Sequence, residues 1–175
     1  MKLVKDKQVL VGSDISGYSL KEAVVKHLRE NGWEVTDIGV KEADLDNPEM
    51  FHRVGLKVGA RISEGEFERA IIFCGSGMGI HIAASKCPHT HVALCESVPT
   101  ALRSRTANNA NILAMGGFII APQMGIEMAE AFLNNNLGDG YNQGFYDYHK
   151  LAFDELEAFD YEEFKKNGFE VKKLG

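Results

Sequence analysis

Long apolar runs are absent from this chain of 175 residues: no stretch approaches the ~20 consecutive apolar residues that a membrane-spanning helix needs. Its opening, MKLVKDKQVLVGSD, also has an apolar core shorter than an export signal requires. A cytoplasmic protein with no membrane partner is therefore expected. Basic runs are missing as well. The 19 Lys and Arg residues are scattered among 25 Asp and Glu, for a net charge of −6, so the concentrated positive surface of a nucleic-acid binder is not expected. Cysteine is scarce and unpaired. Cys74, Cys87 and Cys95 make an odd count without CxxC spacing, which argues against a disulfide frame and a metal knuckle and for reduced thiols. His52, His89, His91 and His149 show no metal-ligand spacing, so no metal site is expected. Internal repeats and low-complexity tracts are lacking too.

What the chain does have is enough apolar residue, 45% of the total, for one well-buried core. Short apolar runs of strand length lie at QVLVG (8–12), EVTDIG (34–39), AIIFCG (70–75), HVALC (91–95) and NILAMGG (111–117). Helical patterns separate them: Leu20, Val24 and Leu28, opened by a capping box from Ser19 to Glu22; Val54, Val58 and Ile62; Ile80 to Ser85; 98–108; and 122–133. Strict alternation of strand and helix, with right-handed crossovers, predicts an α/β fold: a five-stranded parallel sheet sandwiched by helices, Rossmann- or flavodoxin-like. Residues 1–134 make up this domain. In the remainder, 135–175, the Asn- and Gly-rich NNNLGDGYNQG (134–144) reads as a linker, and Tyr148, Leu151, Leu156 and Phe159 mark an extra C-terminal helix, packed on its own domain or on a partner subunit.

The stretch CGSGMGIHIAASK (74–86) closes the third strand run with a thiol followed at once by glycines. Ligands of open parallel sheets bind beyond the carboxyl ends of strands, where neighbouring connections leave to opposite sides. With strands one and three adjacent, Asp14 and Cys74 would meet there, and the loop after strand four and Asn108 before strand five would complete the wall. A thiol beside bare amides and a helix N-terminus gains thiolate character, and the amides of Gly75, Gly77 and Gly79, with the Ser76 hydroxyl, form a nest for an oxyanion. A base beside such a nest suits proton abstraction next to a carbonyl, through an enediolate. Nucleophilic attack would call for a His held against Cys74, and the sequence places none there. Other readings stay open from the residues alone: Cys74 as a small buried hydrophobe, and Asp14 as the cap of a turn. A nucleotide fingerprint is unsupported, since the glycines match neither GxGxxG with an acid on strand two nor GxxxxGK[ST].

Three ordered stretches carry a resemblance: VLVGSDISGYSLKEAVVKHLRENGWEVTDIG (9–39), AIIFCGSGMGIHIAASK (70–86) and VALCESVPTALRSRTANNANILAMGGFIIAPQMGIEMAEAFL (92–133). Together they resemble the type B ribose-5-phosphate isomerases and their galactose-6-phosphate isomerase relatives. The resemblance implies an aldose–ketose isomerase, homodimeric or homotetrameric, acting on a small-molecule sugar with no metal or organic cofactor. It implies that Cys74 is the base moving a proton between C1 and C2, that Ser76 and Gly75, Gly77 and Gly79 hold the anion, that Asn108 contacts the reacting oxygen, and that Asp14 contacts substrate hydroxyls. Arg105 matches a basic residue of the family pattern. His81, just after the glycine loop, is a further candidate for substrate contact or ring opening.

The departures matter as much. Ile15 stands where the family has a phosphate-binding His, Ala107 where it has the ring-opening His, and Phe118 where Gly-Gly-Arg supplies a phosphate-binding arginine. The tail GYNQGFYDYHK also lacks the arginines that the partner subunit sends to that phosphate. Losing several charge-assisted contacts, each worth on the order of 1.5–3 kcal/mol, predicts poor phosphate binding. The expected substrate is a free sugar, a tetrulose or an acid sugar without the usual terminal phosphate, already open-chain or unable to close a stable ring. Two alternatives remain: an ordinary ribose- or galactose-phosphate isomerase, and a non-catalytic subunit of a heteromeric one.

Overall fold

The structure, a computed structural model, describes residues 4–174. In chain order it comprises β1 (Gln8–Ser13), α1 (Tyr18–Glu30), β2 (Glu34–Asp37), α2 (Phe51–Ser63), β3 (Ala70–Cys74), α3 (Met78–Ala84), β4 (Val92–Leu94), α4 (Val98–Thr106), β5 (Ile112–Gly116), α5 (Pro122–Leu133), α6 (Gln143–Glu157) and α7 (Tyr161–Lys166). All strand pairs are parallel, in the order β2-β1-β3-β5-β4. The five expected strands and the α/β sandwich are present. A flavodoxin-like order holds for the first three strands only, because β5 sits beside β3 and leaves the three-residue, half-buried β4 at the edge.

Alternating side chains of each strand feed two cores. Val9, Val11, Ile71, Phe73, Leu113 and Met115 pack under α1, α4 and α5. Leu10, Ile72, Cys74, Ile112 and Ala114 pack under α2 and α3. Strands covered on both faces need apolar residues at successive positions, which is why β3 and β5 read as the unbroken runs AIIFC and ILAMG. Among the described residues no helix is long and apolar enough to cross a membrane.

The capping box expected at Ser19 does not form. The helix starts at Tyr18, ahead of Ser19, so its N-cap is Gly17, which has no side chain to accept from the first turn; the Gly17 N–H donates to Asp14 Oδ1 at 3.0 Å, and Glu22 is engaged by Lys21 Nζ. Lys21 is fully buried and also donates to Asp37 Oδ2 and the Val40 carbonyl, both at 2.8 Å, pinning the loop after β2 to α1. Beyond the linker, α6 buries none of its residues and touches the domain through its last turns. Glu157 accepts from His91 Nε2 and from His89 Nδ1 at 2.9 Å, and Phe153 lies 4.9 Å from the His91 ring.

Candidate active site

Strands β1 and β3 are neighbours, and the helices after them leave to opposite faces, so a crevice opens at their carboxyl ends. Three loops are laced together there. The Asp14 N–H donates to the Phe73 carbonyl at 3.3 Å, the Gly117 N–H to the Cys74 carbonyl at 2.8 Å, and the Phe118 N–H to the Gly75 carbonyl at 2.9 Å. So close an approach needs glycine: a Cβ on Gly17 would lie 2.6 Å from the Phe73 carbonyl carbon.

Cys74 ends β3 at 4% exposure, its side chain against the α2–α3 core. The chain beyond it turns through half-buried Gly75 and Ser76 to Gly77, whose φ of +78 is left-handed. Among the described residues, no backbone carbonyl accepts from the N–H groups of Gly75, Ser76 or Gly77, while Ser76 Oγ accepts from the Met78 N–H at 3.3 Å. Three unspent donors next to a thiol form a nest where negative charge on oxygen is stabilised. Rings close over the glycines. Cβ atoms added to Gly75 and Gly79 would lie 2.6 Å from Phe118 Cε2 and 2.7 Å from Phe51 Cε2. Neither ring is near its glycine in sequence; the packing of α2 on α3 and the β3–β5 pairing bring them there.

Gly77 offers a direct check on this loop. Its added Cβ would meet Leu94 Cδ1 at 2.5 Å and the Met115 carbonyl carbon at 3.0 Å, on top of the unfavourable φ. Gly77→Ala is expected to cost about 1–3 kcal/mol in urea denaturation; an unchanged midpoint would contradict this geometry.

Asp14 shares the crevice, 8% exposed. Burial pushes its carboxyl above the ordinary aspartate range, against the pull of the Gly17 and Ser16 N–H groups. An acid raised in the folded state costs stability when it ionises. That cost is absent below the unfolded pKa of about 3.9 and complete once the pH has risen through the folded value. Asp14→Asn, which keeps an acceptor for Gly17, is therefore expected to gain thermal stability relative to the parent as pH rises from 4 to 7, while losing turnover. A gain that shrinks with pH would contradict the assignment.

Two expected members do not join the crevice within one chain. Asn108 is exposed between α4 and β5, at the amino end of the sheet, whereas Cys74 pairs with Gly116 at its carboxyl end. The five residues of β5 separate the two by roughly 13 Å at the usual strand rise. His81 turns the other way, its Nε2 lying 3.2 Å from the Val92 carbonyl on β4, a packing role. Asp14, Cys74, Gly75, Ser76, Gly77 and Gly79 are brought together. At the rim stand exposed Ile15 and Phe118.

Residues 9–147 match the profile of the Ribose/Galactose Isomerase family. The chain belongs to that family. It is 40% identical over 159 residues to a 4-deoxy-4-sulfo-D-erythrose isomerase of Clostridium sp. (strain MSTE9), covering 91% of this chain and 99% of that one. It is 34% identical to the ribose-5-phosphate isomerase B of Escherichia coli (strain K12), covering 79% and 88%. Among solved structures, that of Clostridium thermocellum ribose-5-phosphate isomerase B superposes with a TM-score of 0.76 at 30% identity, over 92% of this chain and 99% of the other. Fold, family and enzyme class agree, and the protein is a sugar aldose–ketose isomerase.

Proposed function

We propose that this isomerase acts on a four-carbon sugar whose terminal group is a sulfonate, of the 4-deoxy-4-sulfo-D-erythrose type, and that Cys74 is its base. The observation that carries the substrate reading is the rim of the crevice: exposed Phe118 lies over Gly75, and Ile15 follows Asp14, at the positions where the family pattern has phosphate-binding basic groups. A phosphate monoester carries about −1.5 to −2 charge at neutral pH, whereas a sulfonate carries one, so fewer cations suffice to hold it. The 40% identity to a 4-deoxy-4-sulfo-D-erythrose isomerase supports the same choice.

Ring chemistry points the same way. An aldotetrose closes a furanose through its 4-hydroxyl, and a 4-deoxy-4-sulfo tetrose has none. The substrate arrives open, so Ala107 in place of a ring-opening histidine carries no penalty.

The reaction then needs one base and one anion nest. The Cys74 thiolate takes the proton from C2 of the aldehyde, and the electron pair moves onto the carbonyl oxygen as an enediolate. The N–H groups of Gly75, Ser76 and Gly77 hold that oxygen. Asp14 contacts the substrate hydroxyls. The hydroxyl proton on O2 passes to O1, shifting the charge to O2, and the thiol then returns the carbon-borne proton to C1 as C2 becomes the carbonyl, giving the ketose with no net change in redox state and no cofactor. The protein acts in the cytoplasm as a homodimer or homotetramer in which the partner subunit's Asn108, exposed at the amino end of the sheet, supplies the contact to the reacting oxygen that a single chain leaves out.

The test is a direct comparison of kcat/KM for 4-deoxy-4-sulfo-D-erythrose, D-erythrose 4-phosphate and D-ribose 5-phosphate. Preference for the sulfonate supports the reading; ribose 5-phosphate as the best substrate overturns it.

A further inference from the structure

Moving a carbonyl from C1 to C2 takes two proton transfers, one between the carbons and one between the oxygens. Cys74 accounts for the first. While it holds the carbon-borne proton it is a neutral thiol with no place for another, which leaves the oxygen-borne proton to water or to a second side chain at the crevice.

Asp14 stands abreast of Cys74. Ser13 pairs with Phe73 in the β1–β3 ladder, and the Asp14 N–H extends that ladder by donating to the Phe73 carbonyl at 3.3 Å. The next positions along, Asp14 and Cys74, are therefore neighbours on strands about 4.8 Å apart. They also share a face. Leu10, Ile72 and Cys74 pack on the α2 side, and a Cβ added to Gly12 would meet Val54 Cγ1 and Val58 Cγ2 of α2 at 2.8 and 2.9 Å. Strand alternation carries Asp14, two residues beyond Gly12, to that same side.

Its carboxyl is fixed at one oxygen and open at the other. Oδ1 accepts from the Gly17 N–H at 3.0 Å, while Oδ2 accepts from no side chain among the described residues and is not one of their fully buried, unpartnered atoms. What acts on its acidity is burial, opposed by the N–H groups of Gly17 and Ser16, with no cation. Burial of this kind favours the protonated form and brings the carboxyl nearer in acidity to an enediol, which suits transfer in both directions. The competing groups are less suited. Ser76 Oγ is held by the Met78 N–H at 3.3 Å and is a far weaker acid, and the His81 ring faces the Val92 carbonyl.

We infer that Asp14 is a second catalytic residue, the acid–base group that carries the hydroxyl proton from O2 to O1 through Oδ2. Once Cys74 has taken the C2 proton, the Asp14 carboxyl gives its proton to O1, turning the enediolate into an enediol and leaving a carboxylate. The carboxylate then takes the proton of O2, and the negative charge passes to that oxygen. As C2 becomes the carbonyl, C1 takes the proton from the thiol. Asp14 ends protonated and Cys74 ends as thiolate, as each began. The role rests on the reading of Cys74 as base to an enediolate; it does not depend on the sulfonate.

Nuclear magnetic resonance in deuterium oxide tests it, by following conversion to ketose together with deuterium at C2 of the recovered aldose. The substrate is whichever of 4-deoxy-4-sulfo-D-erythrose, D-erythrose 4-phosphate and D-ribose 5-phosphate the parent turns over best. Asp14→Asn keeps an acceptor for Gly17 but cannot relay a proton, so Cys74 still forms the enediolate and returns it to the aldose. Conversion is expected to fall by about 100-fold or more and deuterium at C2 by far less, raising the ratio of exchange to conversion by about tenfold or more. Exchange and conversion falling by the same factor would make Asp14 a binding contact only and overturn the relay. A parent ratio in Asp14→Asn with a raised one in Ser76→Ala would overturn it too. Cys74→Ser should lose exchange and conversion together, so a failure of the thiol base shows in that variant and a failure of the relay in the Asp14→Asn ratio.

Discussion

Cys74→Ser is expected to lower turnover by about 10²–10⁴-fold, the range that a positioned general base contributes. The substitution changes one atom, so the 4% exposed position stays filled. A serine hydroxyl is a far weaker acid than a thiol and does not supply its anion at neutral pH, so the serine variant lacks the base. Far-ultraviolet circular dichroism and the melting temperature should show a folded protein, which separates lost chemistry from lost structure. The anion nest is untouched, so residual rate above the uncatalysed reaction is expected in the serine variant. Activity close to the parent would mean that the proton moves through another group, with Asp14, the buried acid in the same crevice, the first to test.

Phe118→Arg is expected to shift preference from sulfonate toward phosphate. Phe118 is 79% exposed in the chain and rests on Gly75, so an arginine there replaces a ring at the mouth of the site without opening a core cavity. One charge-assisted contact to a phosphate is worth about 1.5–3 kcal/mol, which corresponds to about 10- to 150-fold in kcat/KM for D-erythrose 4-phosphate. The sulfonate should gain less, because it carries less charge. A variant whose ratio for the two substrates equals that of the parent would show that the rim at this position does not read the terminal group.

Much of this site is legible from sequence because its geometry follows from periodicity. Unbroken apolar runs mark the central strands β3 and β5, and alternation with helical patterns requires parallel pairing, so the thiol after AIIF had to emerge at the carboxyl edge of the sheet. Adjacency of β1 and β3 then puts Asp14 and Cys74 in one crevice. What escapes is whatever depends on the order of strands further out or on side-chain direction. The insertion of β5 between β3 and β4 leaves no periodic trace, since both positions accept short apolar runs. Asn108 is a different case: its place just before β5 puts it at the amino end of the sheet, so within a single chain it stands apart from Cys74. His81 follows the glycine loop in sequence, yet helical rotation aims its ring at the Val92 carbonyl. The rings of Phe51 and Phe118 over Gly79 and Gly75 arise from tertiary packing and have no local signal. The short α7 carries a cap, Asp160 Oδ1 accepting from the Glu163 N–H at 2.7 Å, that an apolar pattern search passes over.

The most direct measurement of the central claim is isotope incorporation during isomerisation of 4-deoxy-4-sulfo-D-erythrose in deuterium oxide, read by nuclear magnetic resonance. A thiol that holds the substrate proton over an enediolate exchanges it with solvent, so the expected result is deuterium at C1 of the ketose, lost together with turnover in Cys74→Ser. Deuterium incorporation at the parent rate in the serine variant, or conversion with none of the label at C1 under any condition, would contradict a cysteine-borne proton transfer at this site.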